Sequence, residues 1–153
     1  MSGTLVVVPC GKTKIWKKNP NSGPVMAKDA YTGTLFRLNR QYAEQFGDSW
    51  VILSARYGLI SPDTLIEDYN VTFNDPSTNP AGLMKLREEV IDSGFCSFET
   101  IIALGGRTYR DHVRDAFSIC NVEIICPFDQ CRGIGDMMKQ LKTVLDNGDN
   151  GGS

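Results

Sequence analysis

Apolar and polar positions fall in blocks along this chain. Leu5-Val6-Val7-Val8 is a continuous apolar run that ends in Pro9-Cys10-Gly11-Lys12. A short apolar run bounded by turn-forming residues predicts a buried strand, here over 4–8. A second run, Trp50-Val51-Ile52-Leu53, predicts a strand over 50–54 that hands over to Ala55-Arg56-Tyr57-Gly58. Further strands are predicted at 99–104 and 122–126. Between the strands, apolar positions recur at helical spacing. Leu35, Leu38, Tyr42 and Phe46 predict a helix over 33–46, stopped by Gly47. Leu83, Leu86, Val90 and Ile91 predict a second, with Asn79 as cap and Pro80 in its first turn, running to Ser93. Tyr109, Val113, Ala116 and Phe117 predict a third over 107–117. Ile134, Met137, Met138, Leu141 and Val144 predict a fourth over 133–145. The stretch 9–31 shows no period. The segment 59–78 reads as irregular, with a short helical turn expected at 63–67. The polar, Gly-rich end 147–153 is expected to be a disordered tail.

Strand, loop and helix therefore alternate four times. This predicts a single three-layer α/β domain over 1–146, with a central, mostly parallel four-stranded sheet and helices on both faces. The strand order is not legible. In a parallel sheet every loop that follows a strand opens on one edge, and that edge is where such folds bind ligands.

The chemistry of those loops is polar and cationic. The first carries Cys10, Lys12 and Lys14, and the second carries Ser54, Arg56 and Tyr57. Residues 1–60 hold eight Lys/Arg against three Asp/Glu, and 61–153 hold eight against fifteen. The net charge of −2 excludes a globally basic nucleic-acid binder. The basic half, which carries both loops, favours an anionic ligand; a merely solvated surface is the alternative. Gly105-Gly106-Arg107, before the third helix, fits either an anion cradle or a tight turn that needs glycine. Arg132-Gly133-Ile134-Gly135 resembles it. Neither is a dinucleotide fingerprint or a Walker loop. Asp63 and Glu67 would share a face if 63–67 is helical, and a carboxylate beside a sugar stabilises an oxocarbenium ion or activates water. Asp63 equally fits a helix cap, and Glu67 a solvated side chain. Tyr31, Tyr57 and Tyr69 suit base stacking or simple lids on the core. Cys10, among lysines at a strand end, is the thiol best placed for a lowered pKa.

The five cysteines are odd in number, so no disulfide framework is expected. One His and one Cys126-x4-Cys131 pair do not complete a metal site, and neither metal nor cofactor is expected. No apolar run approaches the roughly 18 residues of a membrane span, and no secretory pattern opens the chain. A cytoplasmic protein without membrane partners is expected.

Taken together, VVVPCGKTKIW, GPVMAKDAYTGTLFRLNRQYAE, WVILSARYGLISPDTLIEDYNVTF, the LGG turn and CRGIGDMM resemble an uncharacterised, YaaA-like family of small bacterial and phage proteins. More distantly, Pro9-Cys10 with Lys14 and Tyr31-Thr32-Gly33 is similar to a Cys-Ser…Lys-Pro-Tyr-Ser motif of the uracil-DNA-glycosylase-like domain of archaeosine synthases. The chain departs from that motif at Gly11, where Ser is common. It also has a longer insert before Tyr31 and no His after the start of the first helix. The resemblance implies a uracil-DNA-glycosylase-like fold and a nucleobase-related site. The expectation is a protein that binds a nucleoside, a nucleotide or a base in nucleic acid and cleaves its N-glycosidic bond. Lys12, Lys14 and Arg56 would hold phosphate or ribose oxygens, and Tyr31 or Tyr57 would stack the base. Asp63 or Glu67 would support the sugar cation or position water. Cys10, Ser54, Gly106, Arg107 and Arg132 would complete the ligand-binding edge. The alternative is a non-catalytic DNA- or nucleotide-binding protein in stress response or phage defence. The oligomeric state is not legible.

Overall fold

The computed structural model describes residues 3–151. Its centre is β1 (Thr4–Pro9), buried over nearly its whole length. The chain then passes through a 3-10 turn at Ile15–Lys17, β2 (Val25–Met26) and α1 (Ala27–Ala30) to α2 (Thr34–Phe46). β3 (Ser49–Ser54), β4 (Gly58–Ile60) and β5 (Leu65–Ile66) follow, then α3 (Leu83–Asp92). β6 (Thr100–Ala103), α4 (Arg107–Phe117), β7 (Glu123–Ile125) and α5 (Ile134–Gly151) complete the domain.

The main sheet has five strands in the order β4-β3-β1-β6-β7. β3, β1, β6 and β7 are parallel, with Val7 opposite Val51 on one side and Ala103 on the other. Alternation along the strands separates two cores. Val6, Val8 and Ile52 pack with α2 and α5, while Leu5, Val7, Val51 and Leu53 pack with α3 and α4. Right-handed crossovers account for this three-layer arrangement.

Four expectations are corrected. First, the sheet is mixed and five-stranded, because β4 returns antiparallel to β3. The polar segment after β3 is thus a hairpin turn. Ser54 Oγ accepts the N–H groups of Arg56 and Tyr57 at 3.2 and 3.0 Å, and Gly58 at φ 82° starts the return strand. Second, 63–67 is not helical: Leu65–Ile66 pairs antiparallel with Val25–Met26 in a small second sheet. The stretch 9–31 is thereby tied down, and Trp16 within it is 6% exposed. Third, Asn79 does not cap α3. Asp75 captures the Ser77 N–H at 3.0 Å and organises a 3-10 turn over Pro76–Thr78. Asn79 closes that turn at φ 59°, and α3 begins only after Gly82. A local Asp-Pro-Ser motif outcompetes the Asn-Pro helix start. Fourth, Cys96 and Cys120 form a disulfide where the chain after α3 meets the chain after α4. An odd cysteine total leaves room for one such pair. α5 spans Ile134–Gly151, and the final two residues of the polar end lie outside those described. No helix among the described residues is long and apolar enough to cross a membrane.

Candidate functional site

The carboxyl ends of β1 and β3 lie side by side, joined past the strands by the Cys10 N–H donating to the Leu53 carbonyl at 3.0 Å. Alternation continues beyond β1, so Cys10 packs on the core beneath α2. Ser54, fully buried at the end of β3, faces the same side. Tyr31 is delivered by the folded-back 9–31 segment: Lys14 and Tyr31 form an antiparallel bridge, and the Thr32 N–H donates to the Thr13 carbonyl at 3.0 Å. Tyr109 comes from the first turns of α4, after Gly105. That glycine adopts φ 96°, and a Cβ on it would lie 2.6 Å from Pro9 Cγ, so the β6–α4 turn passes against the end of β1 only with glycine there.

These residues form one polar cluster with Tyr69. Tyr31 Oη and Tyr69 Oη are 2.6 Å apart, and Ser54 Oγ donates to Tyr69 Oη at 3.2 Å. Cys10 Sγ shares a hydrogen bond of 3.3 Å with Tyr109 Oη. Tyr57 packs edge-on to Tyr69, with ring centroids 5.6 Å apart. Lys14 Nζ lies 4.3 Å from the Tyr69 ring centroid, a cation on the aromatic face.

The protons can be counted. Ser54, Tyr31 and Tyr69 carry three hydroxyl hydrogens and share two mutual bonds. This group keeps one donor hydrogen beyond its internal bonds, and Tyr109 Oη and Cys10 Sγ share one further bond. Burial, reinforced by the charge that Cys10 would carry, pushes the phenols of Tyr31, Tyr69 and Tyr109 well above the ordinary tyrosine range. The phenols are therefore neutral donors and not bases. The cluster suits a ligand with acceptor atoms, such as a carbonyl, a ring nitrogen or an oxyanion.

The structure thus brings together Cys10, Lys14, Tyr31, Ser54 and Tyr57 from the sequence expectation. Arg56 is exposed on the hairpin turn, its guanidinium carbon 5.4 Å from the Tyr57 ring centroid. Glu67 is exposed but anchored beside the cluster. Its N–H donates to Tyr57 Oη at 3.2 Å, and Tyr57 Oη donates to its carbonyl at 3.3 Å. Asp63 is ion-paired with Lys28 at 3.0 Å, its side chain 68% exposed. Lys12, Gly106, Arg107 and Arg132 are exposed on post-strand loops or at the start of α4. Among the described residues no hydrogen bond or ion pair joins these four to the cluster. The Arg132 N–H instead donates to Asp136 Oδ2 at 3.1 Å. His112 is committed locally: Nδ1 bonds the Thr108 carbonyl at 2.6 Å, and its ring lies against Phe73.

Two cluster members escape sequence reasoning in different ways. Tyr69 reads as one of three stacking candidates, with nothing to set it at the centre. Tyr109 reads as an inward helix position, and only its place one turn past Gly105-Gly106, at the start of a post-strand helix, signals the site. A separate cleft of about 380 Å³, lined by Tyr42, Phe128, Cys131, Asp136, Gln140 and Val144, shares no residue with the cluster. No group of three or more His, Cys, Asp or Glu is placed to hold a metal ion among the described residues.

Comparison with known proteins adds relatives without an assigned activity. The profile of DUF6884, a family of unknown function, matches residues 5–143. The uncharacterized protein YfjM of Bacillus subtilis (strain 168) is 37% identical over 143 residues, covering 93% of this chain and 95% of YfjM. Among solved structures, AF0587, a protein of unknown function, aligns with a TM-score of 0.42 and 13% identity. That alignment covers 95% of this chain but 46% of AF0587, so the chain spans about half that protein's length.

Proposed function

The chain belongs to DUF6884, a family of unknown function, and from that premise we propose that it binds a nucleobase-bearing ligand at the carboxyl end of β1 and cleaves the N-glycosidic bond. The observation that carries this reading is the set of neutral phenols, Tyr31, Tyr69 and Tyr109, gathered with Ser54 around Cys10. When a glycosidic bond breaks, the departing base gathers negative charge on its carbonyl oxygens and ring nitrogens, and the sugar becomes an oxocarbenium ion. Donors held ready in a partly buried site stabilise that charge without reorganising. Tyr57 and Tyr69 supply aromatic faces, and Lys14 and Arg56 cations for phosphate or ribose oxygens. Glu67, anchored to Tyr57, is the carboxylate best placed to face the sugar cation or water. Water adds its oxygen to C1′ and a proton ends on the base. The uracil-DNA-glycosylase-like and YaaA-like readings of the fold belong to this proposal. They are supported by the parallel β3-β1-β6-β7 core and the polar segments that follow β1 and β3 at its carboxyl edge.

A second reading, binding without turnover, is favoured by one observation. Asp63 is engaged with Lys28, and neither Asp63 nor Glu67 is buried in the cluster. Incubation with nucleosides, mononucleotides and single-stranded DNA, followed by chromatography for free base, separates the two. Base release that falls on Glu67→Gln supports cleavage. Saturable binding with no base released supports the second reading, and neither binding nor release removes both.

A further inference from the structure

The segment between β5 and α3 is tied at both ends to the same hairpin turn. At one end the Glu67 N–H donates to Tyr57 Oη at 3.2 Å. At the other the Ala81 N–H donates to the Ala55 carbonyl at 2.7 Å. A surface loop whose ends meet, and which packs on itself, is an Ω-loop.

The loop is bonded to itself more than to the body. From 70 to 80, every backbone hydrogen bond among the described residues stays inside the segment. Thr78 Oγ1 accepts the Thr72 N–H at 3.1 Å and donates to the Asp75 carbonyl at 2.7 Å. Such a knot can move as one piece without breaking its own bonds. None of residues 67–80 is fully buried. Among the described residues, one hydrogen bond joins 70–80 to the body, from Thr108 Oγ1 to Asn74 Oδ1 at 3.4 Å. A segment with so few ties opens at a lower free energy than the core beneath it.

This loop spans the polar cluster. Tyr69, at its start, is bonded to Tyr31 and Ser54. Phe73, four residues on, lies against the Cys10–Tyr109 half. Its ring centroid is 5.7 Å from that of Tyr109, edge-on, and 4.1 Å from that of His112. Tyr31 and Ser54 are buried below. A ligand that is to meet these hydroxyls and the Cys10 thiol therefore has the loop in its way.

We propose that residues 70–80 are a lid, which swings out between its ties at Glu67 and Ala81 to admit a ligand and closes with Phe73 as the latch. This rests on the reading of the cluster as the ligand site and adds how that site is reached.

The test is alkylation of the free thiols by N-ethylmaleimide on the full chain without ligand, followed cysteine by cysteine by peptide mass spectrometry. Cys10 stands beside the latch, and Cys126 and Cys131, between β7 and α5, are the references. Phe73→Ala is expected to speed Cys10 alkylation about tenfold, the effect of losing two aromatic contacts, with both references unchanged. Should Phe73→Ala not fold, Phe73→Leu, which keeps an apolar group and drops the ring contacts, must show the same selective rise. In wild type, NMR relaxation dispersion is expected to give one common exchange rate for the amides of 70–80, 108 and 109, as a single swinging body requires. An unchanged Cys10 rate, references that rise in step with Cys10, or dispersion absent from the segment overturns the lid. The same alkylation is then run with the common nucleosides and their 5′-monophosphates. If the lid behaves as expected but none of these slows Cys10, the nucleobase reading falls and the lid stands.

Discussion

Two adjacent glycines separate backbone necessity from ligand chemistry. Gly105 adopts φ 96° and faces Pro9, whereas Gly106 adopts φ −77° with open space where a Cβ would stand. Gly105→Ala is expected to cost about 1–3 kcal/mol from the left-handed backbone alone. Gly106→Ala should stay within about 0.5 kcal/mol of wild type. Urea denaturation of both variants checks this, and equal losses would contradict the assignment. Tyr69 is the corresponding position among polar side chains. Tyr69→Phe removes the hydroxyl shared by Tyr31 and Ser54, both buried, and is expected to cost about 1–3 kcal/mol. Cys10, Tyr31 and Ser54 were legible in the sequence because each is polar and adjoins an apolar run or a turn signal. The centrality of Tyr69 was not legible, because it depends on the packing of three separate segments. Asp63, read as a helical neighbour of Glu67, sits instead before a strand and pairs with Lys28.

Among the elements, the β3–β4 hairpin is held from below by α3. Glu89 accepts the Leu59 N–H at 3.0 Å, and its carboxylate lies directly under Gly58. Burial raises its pKa, opposed by the Leu59 bond and Lys85. A raised carboxyl pKa means that the folded state holds the proton more tightly than the unfolded chain. Its stabilising contribution is full below the ordinary glutamate pKa and is lost as pH rises through the raised value. Glu89→Gln keeps an acceptor and removes the charge. Its melting temperature relative to wild type is therefore expected to be more favourable at about pH 7 than at about pH 4; the opposite trend would contradict the burial effect. The Cys96–Cys120 bond, across a sequence separation of 24, links the ends of α3 and α4. Reduction is expected to lower stability by about 3 kcal/mol, read by denaturation with and without reductant. The parallel strands and α2 and α4 were legible because their periods are long and unbroken. The hairpin was not. Ser54-Ala55-Arg56-Tyr57-Gly58 is as compatible with a crossover loop as with a turn, and β4 spans only Gly58–Ile60. β2 and β5 are shorter still, two residues each, and each exists only because the other is there to pair with it.

Across the whole molecule, the basic first 60 residues carry the segments that follow β1 and β3. Lys14 and Arg56 stand beside Tyr69 and Tyr57 at the edge where the phenol–thiol cluster opens. The cleft that includes Tyr42, Gln140 and Val144 is the competing location for a ligand. Amide chemical-shift mapping by NMR, with nucleoside monophosphates titrated into the full chain, distinguishes the two. The account predicts that the largest shifts fall at Cys10, Lys14, Tyr31, Ser54, Tyr69 and Tyr109. Shifts confined to the neighbourhood of Tyr42, Gln140 and Val144, or a spectrum unchanged at saturating nucleotide, would contradict it.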